Sequence, residues 1–432
     1  MIEKAVVLSR YDQYTLNKKE SWNILNDISQ KDDLALCVGA GVTRSFVGEW
    51  NDLLNELAIM RIIDTLAQEW ISELNNNDIN NLRSFVDDHF DGACKGKACP
   101  FTNEHLPCIY LDKSKKCKLH KISGFFPIGM NTLEQGEYLK DGVPDNSYSL
   151  SSSSTESYKP MQREFFFAAQ VRQAIERCIN KKTKGEALES YFLANIKTCG
   201  MSTLREVIKL CLTGKIEHVI TYNFDTILER LLRCDKVCEA VLEGSSESGP
   251  GIRVYAYNNE PIGAFSKDRI KSEHVVNIYH VHGIAYEDEY YSTRPLIFSE
   301  NSYLEYQRNL LNWSNLRIAD VISRSHLLCV GFSGADPNFR MLNRVITDIK
   351  KNPLFTDPSP AKNIWLTQTY NEYFMSGCKV GDYLAYSCFK AFTDSAEEYF
   401  DNSFGITILW SESHKDIAKN LDDISRKLTH CI

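Results

Sequence analysis

The chain has 432 residues, 43% of them hydrophobic and 25% charged, and 49 Lys and Arg set against 57 Asp and Glu leave a net charge of −8. This balance excludes wholesale disorder, a collagen-like fibre and a membrane bundle, and it fits poorly with a dedicated nucleic-acid clamp. At about 150 residues per domain, the length predicts two or three domains, or one α/β domain with a large insertion.

Short, nearly all-apolar runs predict strands at Leu34 to Val38, His218 to Thr221, Val275 to Val281, Leu327 to Val330, Asn363 to Leu366 and Ile406 to Trp410. Strands apolar on both faces belong to a parallel sheet covered by helices on each side. Helical spacing at Asp225 to Leu232, Ser302 to Leu311, Pro337 to Ile349 and His414 to Leu428 supplies the covering layers. The alternation predicts an open, doubly wound α/β sheet. The core is expected to span 1–60 and 210–432, interrupted by a mostly helical insertion over 61–209. Trp50, Leu53, Leu54, Leu57 and Met60 sit at helical spacing before it, and Met161 to Ile179 and Glu186 to Ile196 read as helices too. Between them, 91–160 is irregular and carries four cysteines, several lysines and a serine-rich run.

Four predicted strand ends carry groups suited to a cleft. Gly39-Ala40-Gly41-Val42-Thr43 follows the first strand, where glycines can admit a pyrophosphate and a helix N-terminus favours negative charge. By itself this is equally a tight strand-to-helix turn, because no third glycine completes the dinucleotide fingerprint. Thr221-Tyr222-Asn223-Phe224-Asp225 ends the second, with Asp225 readable as a helix cap or as a ligand. Tyr279-His280-Val281-His282-Gly283 places two histidines on one side of a strand. His280 reads as a satisfied core residue, whereas His282, nearest the strand end, suits general-base work near neutral pH. The last is Gly331-Phe332-Ser333-Gly334-Ala335-Asp336-Pro337, in which Asp336 reads as the cap of the next helix.

This ordered set, with the Trp50-x-x-Leu53-Leu54 helix and the segment Leu296 to Tyr303, resembles the sirtuin-like family in its bacterial anti-phage defence branch. The resemblance covers roughly 30–60 and 210–430. It implies a Rossmann-like sheet and an NAD site in which Gly39, Ala40, Gly41 and Thr43 line the phosphates and Gly331 and Ser333 border the adenosine. Asn223 and Asp225 would serve the nicotinamide-ribose side, with His282 as catalytic base. Protein-deacylating sirtuins carry a Pro-Asp-Phe-Arg segment after the first motif, where this chain reads Arg44-Ser45-Phe46-Val47. They also carry two Cys-x-x-Cys pairs after the His-Gly strand, whereas Cys329, Cys378, Cys388 and Cys431 are not so spaced. The resemblance therefore implies an NAD hydrolase releasing ADP-ribose and nicotinamide in abortive antiviral defence. The alternatives are a non-catalytic NAD- or ADP-ribose-binding regulatory subunit and an NAD-dependent deacylase. It also implies a homo-oligomer paired with a HerA-type ATPase.

Cys94, Cys99, Cys108 and Cys117, near His105 and His120, offer the ligand types of a structural zinc site but not a familiar spacing, so free thiols remain the alternative. The adjacent lysines read as a solvated face, and no nucleic-acid contact is expected. With no leader-type segment and no apolar run near the ~18 residues of a membrane span, a cytoplasmic chain with reduced thiols is expected.

Overall fold

The computed structural model describes residues 34–60, 159–243, 249–263, 274–285, 296–332, 334, 336–351, 363–368, 383–411 and 414–430, apart from 49, 51, 55, 59 and 310. The zinc-candidate cysteines and Ser333 lie outside the described residues. Two compact units are distinguished: Met1–Phe46 with Lys182–Ile284 and Tyr306–Ile432, and Val47–Lys181 with Ala285–Glu305.

Among the described residues the first unit holds seven strands: β1 (Leu34–Val38), β2 (Ile216–Thr221), β3 (Gly251–Tyr255), β4 (Val275–His280), β5 (His326–Val330), β6 (Asn363–Gln368) and β7 (Ile406–Ser411). All pair in parallel in the order β3-β4-β2-β1-β5-β6-β7. This is a doubly wound, Rossmann-like α/β sheet. Every residue of β1 and β5 is buried, which is why those strands read as unbroken apolar runs rather than as alternation. β3, whose Gly-Ile-Arg-Val-Tyr carries no such run, escapes sequence reading and forms an edge.

The helices are α1 (Ala40–Val47), α2 (Lys159–Thr183), α3 (Leu188–Asn195), α4 (Cys199–Leu212), α5 (Ile227–Arg233), α6 (Asp235–Val241), α7 (Glu300–Arg308), α8 (Trp313–Arg324), α9 (Pro337–Lys351), α10 (Tyr383–Phe404) and α11 (His414–His430). Each covering helix buries one stripe. In α9 that stripe is Phe339, Leu342 and Ile346, and in α11 it is Ile417, Leu421, Ile424 and Leu428. α4 packs on α11, and Lys209 Nζ meets Asp422 Oδ1 at 2.7 Å across that seam. α3 and α4 fall within the first unit.

In the second unit, the helical spacing after Trp50 buries Leu53, Leu54, Leu57 and Met60. Phe298 packs against both Trp50 and Phe167, with ring centroids 4.6 and 5.1 Å away. Glu56 is held by Arg177 at 3.0 Å and Lys181 at 2.5 Å. Among the described residues no helix is long and apolar enough to cross a membrane.

Candidate active site

β1 lies between β2 and β5, so the connections leaving it and its neighbours diverge and open a crevice at the carboxyl ends of these strands. The groups singled out from sequence gather at those ends, all within the first unit.

Main-chain hydrogen bonds lace the loops together. The amides of Gly39 and Gly41 donate to the carbonyls of Val330 and Gly331, at 3.1 and 2.9 Å, and Tyr222 N donates to Val38 O at 3.3 Å. The glycines are required by this closeness. A Cβ on Gly39 would fall 2.5 Å from Gly331 O, and one on Gly331, whose φ is +62°, would fall 2.6 Å from Val42 N. The glycine pair therefore serves first to let two strand-end loops touch, and two of its amides are spent on that contact. Ala40 and Gly41 remain exposed in the first turn of α1.

Inside the loops a directed chain of hydrogen bonds links three buried side chains. Asn223 Nδ2 donates to Thr43 Oγ1 at 3.1 Å and to Gly39 O at 3.4 Å. Thr43 Oγ1, having accepted, donates its one proton to Asp225 Oδ2 at 2.9 Å. Asp225 Oδ1 accepts from Ile227 N at 3.2 Å, so this carboxylate also ties down the start of α5. The N-cap position itself is Thr226, which makes no side-chain cap bond, so Asp225 braces the helix from one residue before the cap expected of it. Because Nδ2 of Asn223 is committed inward, Oδ1 is the acceptor that the amide presents to the site. Burial first, and then the charge of Glu229, raise the Asp225 pKa to about 6, against the Ile227 amide, the Thr43 hydroxyl and the His280 charge.

Beneath this chain lies a group that sequence reasoning left in the core. His280 is fully buried, with Nδ1 2.9 Å from Asn223 O and Nε2 2.6 Å from Glu229 Oε1. Both ring nitrogens meet oxygens, an arrangement satisfied by an imidazolium that donates to the Asn223 carbonyl and to a Glu229 carboxylate. Burial lowers its pKa, but the charge and hydrogen bond of Glu229 and the Asn223 carbonyl outweigh that and hold it above the usual histidine value. Glu229 gave no sequence signal, since it sits in the apolar Ile-Leu-Glu-Arg-Leu-Leu-Arg helix and its partner is 51 positions away.

His282 occupies a different environment. Its Nε2 lies 3.3 Å from Asp336 Oδ2, both side chains nearly buried. Tyr222 and Tyr306 meet its ring edge-on, with centroids 4.8 and 5.9 Å away. Asp336 also performs the capping expected of it, as its Oδ1 accepts from Phe339 N at 2.7 Å with Pro337 opening α9.

The structure thus brings together Gly39, Gly41, Thr43, Asn223, Asp225, His282 and Gly331, and adds Asp336, Glu229 and His280. Chemically, the crevice offers an oriented amide oxygen, an imidazole beside a carboxylate and an exposed helix N-terminus. Among the described residues no group of His, Cys, Asp and Glu forms a metal site. A comparison with curated proteins gives no match. Residues 217–373, which carry Asn223, Asp225, His282, Gly331 and Asp336, match the SIR2-like domain; that match supports a sirtuin-like family, whose domains bind NAD.

Proposed function

We propose that this chain is an NAD hydrolase that cleaves the nicotinamide–ribose bond to give ADP-ribose and nicotinamide. The observation that carries the reading is that Asn223 and His282 stand at the carboxyl ends of the adjacent strands β2 and β4, with the Asn223 amide nitrogen committed to Thr43 and Gly39 so that Oδ1 is left as its acceptor. The match to the SIR2-like domain supports NAD as the substrate.

Breaking this bond builds oxocarbenium-like charge on the ribose while the electron pair leaves on the nicotinamide nitrogen. The leaving group becomes neutral, so the site need not protonate it. It must instead hold a water below the anomeric carbon and accept its proton. Asn223 Oδ1 orients that water or a ribose hydroxyl, and His282 takes the proton as the water oxygen bonds to carbon. Asp225 organises Thr43 and Asn223. Gly39, Ala40, Gly41, Thr43, Gly331 and Ser333 border the nucleotide, with Ala40 and Gly41 offering the exposed turn of α1 to the phosphates.

Nicotinamide release from NAD alone, without an acylated peptide, tests the reading. Wild-type turnover that falls by about 10²–10⁴ in His282→Ala supports it. Turnover that requires an acylated peptide points to a deacylase, and NAD binding without turnover points to a regulatory subunit. The proposal extends to NAD depletion in anti-phage defence by a homo-oligomer acting with a HerA-type ATPase, and mass measurement with and without such a partner tests that part.

A further inference from the structure

Asp336 spends its two carboxylate oxygens on different tasks. Oδ1 accepts the Phe339 amide at 2.7 Å and fixes the first turn of α9, while Oδ2 faces His282 Nε2 at 3.3 Å. The cap dictates where the second oxygen points, since a carboxylate is rigid and planar and its residue is pinned by the helix it starts. Pro337, with its locked φ, further restricts the entry to α9. Asp336 and His282 are 8% and 5% exposed, so solvent screens their approach only weakly.

We infer that Asp336 is the positioning residue of His282, fixing the ring's tautomer and orientation for the proton transfer proposed above; the inference rests on that reading for its consequence in catalysis. A carboxylate can only accept, so it selects the tautomer whose proton is on Nε2. Nδ1 is then the basic nitrogen of the neutral ring. Tyr222 and Tyr306, edge-on to the ring, limit its rotation. The sequence signal of Asp336 is masked by the capping role, which by itself explains an Asp before a Pro.

The two roles separate experimentally because Asn and Ser cap helices about as well as Asp. Asp336→Asn and Asp336→Ser should keep the melting temperature within about 3 °C of wild type, as the cap survives. Both should lower kcat for nicotinamide release at least about 10-fold, with KM changed less than about 3-fold, because the transition state rather than substrate binding is affected. Imidazole ¹⁵N spectra of the full chain should report the Nε2–H tautomer for His282 in wild type and its loss in Asp336→Asn, whose amide can donate. Wild-type kcat in both variants, or a His282 tautomer indifferent to Asp336→Asn, overturns the inference. If wild type releases no nicotinamide, the proposed function fails, and the ¹⁵N spectra alone then decide whether Asp336 sets the tautomer.

Discussion

His280 Nε2 and Glu229 Oε1 stand 2.6 Å apart with side-chain exposures of 0% and 1%, forming an ion pair sealed beneath the candidate site. Removing one partner of such a pair leaves an uncompensated charge in a low-dielectric interior. His280→Ala should therefore cost about 3–5 kcal/mol of stability, measured by urea unfolding. The histidine's folded pKa is raised, so its contribution is complete below the unfolded value of about 6.5 and is lost as pH climbs through the higher folded value. The stability gap between wild type and His280→Gln should accordingly narrow on the alkaline side. A gap that stays constant from neutral to strongly alkaline pH would show that the ring is buried neutral.

Thr43 is the hinge of the hydrogen-bond chain, accepting from Asn223 and donating to Asp225. Thr43→Val keeps the volume but takes the donor from Asp225 Oδ2 and leaves Asn223 Nδ2 only its 3.4 Å bond to Gly39 O, an unmade buried bond costing about 1–3 kcal/mol. Nicotinamide release should drop about 10–100-fold, because the Asn223 amide is then held only by the longer bond to Gly39 O and is oriented less firmly. Thr43→Ser should retain most turnover. Equal losses in the two variants would assign the effect to packing of the methyl group.

Asp225 predicts a pH dependence of opposite sense to that of most carboxylates. A carboxyl whose folded pKa lies above its unfolded value favours folding while it is protonated. That contribution is complete below an unfolded value of about 4 and is lost as pH rises through a folded value of about 6. The loss amounts to about 3 kcal/mol as an order of magnitude. Asp225→Asn should therefore gain on wild type between pH 4 and 7 in parallel urea titrations. Parallel curves across that window would mean that the carboxyl ionises as easily folded as unfolded.

The two loop glycines can be compared with a third. Gly39→Ala and Gly331→Ala press a methyl group against main-chain atoms that have no rotamer to change, and each should cost about 2–3 kcal/mol or more. Gly214, at φ +79° with open space around it, isolates backbone strain, and Gly214→Ala should cost only about 1 kcal/mol. Thermal unfolding of the three variants checks the order. A Gly39→Ala variant as mild as Gly214→Ala would mean that the loops can part without penalty.

The central strands were legible because burial on both faces writes an unbroken apolar run, and the strand-end motifs because glycine and polar residues interrupt it. β3 was not, since a five-residue edge containing Gly251 and Arg253 has no such contrast. For the candidate site, the strand-end motifs singled out Asn223, Asp225 and His282 and left the glycines open between a tight strand-to-helix turn and phosphate contact, and the structure shows the turn glycines in contact with each other's loops. The partners Glu229 and Asp336 were illegible for a physical reason. Each stands where a local explanation suffices, a helix interior or a cap, and its second role exists only once distant strands are side by side.

That distance also bears on how the protein is born. Thr43 and Asp225 are hydrogen-bonded across 182 positions, and β1 is closed on its other side only by β5. At about 5–20 residues per second, β1 leaves the ribosome about 15–60 s before β5 is made. During that interval Leu34 to Val38 has no partner on one or both edges, and the crevice has no walls. Ribosome-bound chains stopped before His326 should thus remain open to protease at β1, while chains extended past Gly331 should become resistant there. Synthesis itself would act as a timer, keeping any NAD-cleaving activity silent until most of the chain exists.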